Sequence, residues 1–327
     1  SGSVSDVGLE GYTTRPDGVP DAGRVDLGYH HRAGLDSRWS DLYVAPWGSD
    51  NNAGTNWAAA LRSATAALRM AKDGTRIFMA EGEYGTNVET FPLQIDKNGI
   101  ELIGTNRAGT AFNPTGLQYR VLNIIGAQNV RLGGLTLKNG YSRFYQTYGQ
   151  PAGCIYMEQA SADIQDCNMV SNYAAWAYGR GGGLYLLSSV ACVSNCFIGH
   201  NRGSADWRPG GVGVFAIADS QLIMRQTQVV GNYCQANGVN SDILGAVAFY
   251  CWANERQGPH LLENCLIWSN RTQVSGGIAY GCGLSIANLF ATNAVWTGTV
   301  ANCIIVANTT AAATNWGSAV YAQASHV

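Results

Sequence analysis

The heptad "NCLIWSN" at Asn264–Asn270 returns as "NCFIGHN" at Asn195–Asn201 and as "NCIIVAN" at Asn302–Asn308. Aligned on its closing asparagine, the phrase marks Asn139, Asn172, Asn201, Asn232, Asn270 and Asn308, at spacings of 33, 29, 31, 38 and 38 residues. Self-similarity at about 20 to 50 residues is the mark of a solenoid, whose units cannot bury an apolar face alone and must stack. A second apolar strand precedes each phrase, introduced by Gly153, Gly181, Gly210, Gly245, Gly281 or Gly317. Every unit therefore reads as strand, short turn, strand, tight turn and a loop of variable length.

Alternation within the phrase assigns its faces. Cys167, Cys196, Thr227, Cys265 and Cys303 form one inward column, and Met169, Ile198, Val229, Ile267 and Ile305 form a second. Stacked in parallel register about 4.8 Å apart, these columns build one continuous core. The six asparagines are expected at the turns, in left-handed backbone geometry, hydrogen-bonding from coil to coil. The chain has nine cysteines, an odd number without a CxxC pair, and four of them share one place in the repeat. That points to small buried fillers rather than a disulfide framework or a zinc site.

In front of the coils stands "DLYVAPWGSDNNAGTNWAAALRSATAALRMAKDGTRIFMAEGEYG". Leu61, Ala64, Leu68 and Ala71 recur at helical spacing with Arg62, Arg69 and Lys72 off that face, and Gly74 is expected to stop the helix. Laid over the first coil, such a helix would close the end of the core. The asparagine-closed repeats resemble right-handed parallel β-helix proteins of the pectate-lyase-like kind, over roughly residues 41 to 327. The opening strand, loop and helix resemble the start of many secreted bacterial β-helix domains. The fold class expected is all-β, a right-handed parallel β-helix with an N-terminal capping α-helix. It divides into an irregular arm (1–34), a cap region (35–85) and the coils (86–327).

The arm, "GYTTRPDGVPDAGRVDLGYHHRAG" at 11–34, resembles a segment with which such domains finish, and "NWGSAVYAQASHV" ends the chain inside a repeat strand. An uncapped coil exposes backbone and core. This suggests that the arm of one molecule covers the last coil of the next, head to tail, and that deleting 1–34 abolishes self-association. Asp17, Asp21 and Asp26, separated by glycines, are the residues there that would ligate calcium.

Composition removes several partners. Net charge is -2, no lysine or arginine cluster occurs, and only 13% of residues are charged, so nucleic acid is not an expected ligand. No apolar run spans a membrane, and the first residues lack a signal-peptide pattern, so export would rely on a signal outside this sequence.

The resemblance implies two enzymatic precedents, clustered aspartates that hold calcium beside a basic residue, or paired aspartates on neighbouring coils. From Glu158 onward the acids fit neither. Asp166 and Glu263 precede the inward column, but Asn195 and Gln226 intervene, and no "NTD", "GHG" or "RIK" constellation occurs. His200 and His260 read as turn or surface histidines. Arg180, Arg202, Arg208 and Arg271 lie near the turn asparagines and read as solvated charges or a basic strip.

Binding has better material. Tyr173, Trp176, Tyr178, Trp207, Tyr233 and Trp252 lie in or beside successive loops, as candidates for stacking against sugar rings. The outward positions Phe197, Leu266, Trp268, Ile304 and Val306 form an apolar flank suited to an interface. The sequence reads first as an extracellular structural or adhesive subunit whose partner is itself, without required cofactor. The alternative is a polysaccharide-binding or polysaccharide-degrading module, as lyase or hydrolase.

Overall fold

A computed structural model describes residues 12–13, 31–32, 41–143, 152–175, 179–205, 209–236, 242–250, 256–274, 276–287, 295–312 and 314–322. The chain winds as a right-handed parallel β-helix. Four long sheets run along it. A first sheet of nine strands extends from Asp41–Val44 to Val295–Ala301, and a second of eight from Gly82–Gly85 to Ile304–Val306. A third of eight runs from Leu93–Ile95 to Val320–Ala322, and a fourth of six from Tyr141–Arg143 to Thr309–Ala311. One full coil passes through Ser161–Gln165, Asn168–Val170, Tyr173–Ala175 and Leu184–Leu187, which belong to the first, second, fourth and third sheets in that order. The sheets thus already run through 41–85, the segment read as the cap. Of the arm, Tyr12–Thr13 and His31–Arg32 are described, as an antiparallel pair.

The inward columns fill the solenoid. Cys167, Cys196, Thr227 and Cys265 are buried with Met169, Ile198, Val229 and Ile267, while Cys303 and Ile305 pack against the same core. The eight cysteines among the described residues are free. Their column carries a polar function besides: the thiols of Cys167, Cys196, Cys265 and Cys303 each donate to the carbonyl two residues earlier, at 3.1–3.3 Å. Burial pushes the Cys265 thiol up to about 11.

The asparagine ladder is real, with two corrections. Asn172, Asn201, Asn232, Asn270 and Asn308 are buried, and in each pair of coils the N–H and the Nδ2 of one asparagine donate to Oδ1 of the next at 2.9–3.0 Å. Each Nδ2 also reaches a core-strand carbonyl of the preceding coil, as Asn201 does with Met169 at 2.9 Å. Asn139 is not a rung. Gly140 stands in its register and donates its N–H to Asn172 Oδ1 at 2.8 Å, whereas Asn139 lies one place earlier.

The left-handed residue is also not the rung but its predecessor: Asn139, Ser171, His200, Gly231, Ser269 and Ala307 have φ between 54° and 64°. The chain must kink before the rung so that the amide turns into the corner. Asparagine at 139 is there because it tolerates that backbone. Asn270-Arg271-Thr272 and Asn308-Thr309-Thr310 fit the pattern of a glycosylation acceptor, but both asparagines are buried.

The helix spans Ala64–Met70 and packs on the first strands of the first and third sheets, with Leu61, Ala64, Leu68 and Ala71 all buried in the common core. It ends in extended geometry at Ala71, three residues before the expected Gly74. Two carboxylates organise its start. Asp50 accepts the N–H groups of Arg62 and Ser63 at 2.9 Å, and Glu89 those of Ala64 and Thr65 at 2.7 and 2.8 Å. Burial raises the Glu89 carboxyl above its ordinary range, against the pull of these donors. The capping Ser63 Oγ accepts from Ala66 N–H at 3.0 Å. Ser63→Ala is expected to cost about 1 kcal/mol of stability, read from a urea transition.

A second apolar layer lies outside the solenoid. Tyr156, Tyr185, Phe215 and Tyr250 point outward from the third sheet and are buried, in a cluster with Leu244, Ala248 and Tyr280. Their rings follow one another at 5.5, 5.3 and 6.1 Å. The buried Arg120 and Arg180 lie over Tyr156 and Phe215 at 4.7 and 4.8 Å. Ala152, Arg180 and Leu244, which lie between strands of the fourth and third sheets, pack over this face, so residues facing away from the core are also dry.

Candidate functional site

The residue after each rung points out from the fourth sheet. Tyr141, Tyr173, Arg202, Tyr233, Arg271 and Thr309 stand there in register on successive coils. The rings of Tyr141 and Tyr173 are stacked, 5.2 Å apart and 16° from parallel. The Arg271 guanidinium lies 5.7 Å from the Tyr233 ring centre, close enough for a cation–π contact. Tyr233 Oη lies 3.1 Å from Gln235 Oε1 and 3.0 Å from Gln273 Oε1, which fixes the ring upright on the sheet.

Arg202 and Arg271 are exposed while the three tyrosines are half-buried. The two arginines are two rungs apart, roughly 10 Å at ordinary strand spacing. None of the six strands of this sheet contains an aspartate or glutamate. In a chain of net charge -2, the strands of this face carry arginines interleaved with aromatic rings and no acidic side chain.

The first sheet carries the opposite arrangement. Asp41, Arg76, Glu101, Arg131 and Asp163 stand in one outward column, alternating in sign. Arg76 grips Asp41 through Nε at 2.8 Å and Nη2 at 3.0 Å, and Arg131 Nη1 lies 3.7 Å from Glu101. Burial raises the Asp163 carboxyl, partly offset by the Arg131 charge and by a hydrogen bond from Gln165. Glu101 and Asp163 are roughly 10 Å apart at strand spacing, a distance of interest for paired acid and base work. Arg131 stands between them, so the column is an ion ladder of three carboxylates and two arginines.

The other acids named in the sequence are similarly tied. Asp166 receives Arg107 Nη1 at 3.2 Å, while Glu263 stands one register place earlier than Asp166 and pairs with Arg225 at 3.0 Å.

Of the six sugar-stacking candidates, Tyr173 and Tyr233 share the fourth-sheet column, and Trp176, Tyr178, Trp207 and Trp252 lie outside the described residues. The calcium candidates Asp17, Asp21 and Asp26 also lie outside them, and among the described residues no three His, Cys, Asp or Glu side chains come together as a metal site. Arg202 and Arg271 belong to the strip; Arg180 does not, being buried against the rings of Phe215 and Tyr250, and Arg208 is outside the described residues. The signal that identifies the strip is positional: each member directly follows a rung.

His200 is the exposed turn residue expected, but His260 is not at the surface. It is 2% exposed, its Nδ1 accepts the Leu222 N–H at 3.1 Å, and its ring lies 4.0 Å from that of Phe249.

A family described as "Protein of unknown function (DUF1565)" matches residues 47–179, less than half of the chain. No curated protein matches it. Among solved structures, the chain is similar to a rhamnogalacturonan lyase at 14% identity and a TM-score of 0.43, over 72% of this chain and 74% of that one. It is similar to the pectin methylesterase of Aspergillus niger at 13% and 0.43, over 84% and 86%. A third likeness is to the pectate lyase Pel9A at 14% and 0.40, over 87% and 81%. No helix among the described residues is long and apolar enough to cross a membrane.

Proposed function

We propose that this chain is a polysaccharide-binding β-helix module of the cell exterior, and that its binding face is the fourth sheet. The observation that carries the reading is the register of Tyr141, Tyr173, Arg202, Tyr233 and Arg271 on consecutive coils, without a carboxylate in the strands that hold them. A solenoid face repeats its side chains at a fixed step, as a polysaccharide repeats its sugars. Tyrosine rims supply apolar edges with a hydroxyl, and guanidinium groups supply paired donors that suit carboxylate or sulfate. The ligand class is accordingly an acidic polysaccharide.

Calorimetric titration with polygalacturonate and with a neutral galactan tests this. Binding is expected to the acidic polymer, weakening as salt is raised. Arg202→Glu and Arg271→Glu are each expected to lower affinity about ten-fold, the equivalent of about 1.4 kcal/mol, and Tyr233→Ala by a similar factor. Binding that survives the double arginine reversal unchanged would remove the strip from consideration.

The reading as a head-to-tail structural subunit draws on the arm and the last coil, and most of the arm lies outside the described residues. Catalysis has no comparable support: Arg131 stands between Glu101 and Asp163, and Asp50 and Glu89 are engaged by the backbone at the helix start.

A further inference from the structure

The second sheet changes character along the solenoid. Its early coils present Glu83, Asn113 and Lys138, joined through Glu83 by an ion pair of 2.7 Å to Lys138 and a hydrogen bond of 2.8 Å from Asn113. Its later coils present two outward columns in register. One is Phe197, Gln228, Leu266 and Ile304, and the other Gly199, Val230, Trp268 and Val306. Trp268, Ile304 and Val306 are 45%, 61% and 48% exposed, and no charge occurs in either column over these four coils. A contiguous apolar face of this kind marks an interface.

We infer that this face pairs with the same face of a second copy of the chain, about a two-fold axis that lies in the interface and runs along the strands. The charges beside the face select that partner. Where the first sheet turns into the second, the outward residues on the same four coils are Ser194, Arg225, Glu263 and Ala301. Arg225 and Glu263 occupy adjacent coils and form an ion pair of 3.0 Å with both side chains partly exposed.

An axis passing between those two coils reverses the coil order of the second copy. Arg225 then faces the second copy's Glu263, and the two pairs close into a quartet of alternating sign. The same operation sets Trp268 against the second copy's Val230 and Ile304 against its Phe197. It also sets Val306 against the edge of the Phe197 ring, which lies over Gly199. One rotation thus satisfies charge and apolar contact together, which a partner of unrelated sequence has no reason to do. Four coils at ordinary strand spacing span only about 14 Å along the solenoid, short of what a face of roughly 800 Å² per partner needs, so the dimer is weak and reversible.

Sedimentation equilibrium over a rising concentration series tests the pairing. The mass is expected to climb from that of one chain, 34.8 kDa, toward twice that value as concentration approaches about 1 mM. Arg225→Glu and Glu263→Arg are each expected to weaken the dimer at least ten-fold, since each sets like charges against one another across the axis. An equimolar mixture of the two variants should dimerise as well as wild type, because opposite charges then meet between chains while the repulsion within each chain is unchanged. Trp268→Glu should leave a single-chain mass. The inference is overturned by a single-chain mass throughout or by a mixture no better than its components. Growth beyond two copies overturns it as well, since a two-fold contact closes on itself.

Discussion

Asn201→Ala is expected to destabilise the chain by about 4 kcal/mol, a loss far outside the range of ordinary turn substitutions. Its amide holds four contacts in a place water does not reach: Oδ1 accepts from Asn172 N–H at 2.9 Å and Nδ2 at 3.0 Å, and Nδ2 donates to Met169 O at 2.9 Å and Asn232 Oδ1 at 3.0 Å. Truncation leaves the Asn172 N–H buried without a partner, at about 1–3 kcal/mol, takes one donor from the Met169 carbonyl and one acceptor from Asn172 Nδ2, and opens a gap in the column. Asn139→Ala is the matched control. Asn139 is half-buried and outside the ladder, its Nδ2 contact is to Asn113 at 3.1 Å, and its backbone is left-handed, so alanine there is expected to cost about 1 kcal/mol. Equal urea midpoints for the two variants would show that the ladder does not carry the corner.

Acidification should reveal the second large effect. The imidazole of His260 is buried among apolar neighbours and its pKa is pushed down to about 3 by the loss of water around the charged form. A histidine with a depressed pKa binds fewer protons folded than unfolded. Its contribution is therefore fully present above the unfolded value near 6.5 and is lost as pH falls through the window down to about 3. Stability should drop by about 2 kcal/mol between pH 7 and 5, and by about 3 kcal/mol at pH 4. His260→Gln should give a weaker fold whose stability is nearly flat between pH 7 and 5. The raised carboxyl of Glu89 acts in the opposite sense, stabilising below about 4.5 and losing that contribution as pH rises, so it does not account for the loss between pH 7 and 5. Parallel pH slopes for the variant and the wild type would refute the assignment.

Much of the architecture was legible because a solenoid writes its contacts locally. The Cys–x–Ile alternation names the buried face of the phrase, and the period names the coil, so Cys196 and Ile198 could be placed inside without knowing the remaining chain. The binding strip was half legible. Tyr173 and Tyr233 stood out as aromatics, but Arg202 and Arg271 looked like loop charges until the kink one residue before each rung set them on the same outward column.

His260 misled because Gly258, Pro259 and His260 read as a turn; they in fact lie within the strand Arg256–Glu263, where the His260 ring meets that of Phe249 at 4.0 Å. The ion ladder from Asp41 to Asp163 was missed for another reason. It lies largely in early coils where the repeat phrase has decayed, so no alignment joins its members.

The sequence by itself determined the coil, the inward columns and the spacing of the rungs, because those depend on residues a few places apart that meet the same environment in every turn. Only the tertiary structure decided what the outward residues do. Tyr156, Tyr185, Phe215 and Tyr250 are as outward as Trp268 and Ile304, yet the first four are buried and the last two exposed. The difference lies in which loops fold back over which sheet. An inward side chain is buried by the repeat itself, whereas an outward one is buried, paired or left open by segments of unequal length that arrive from other coils.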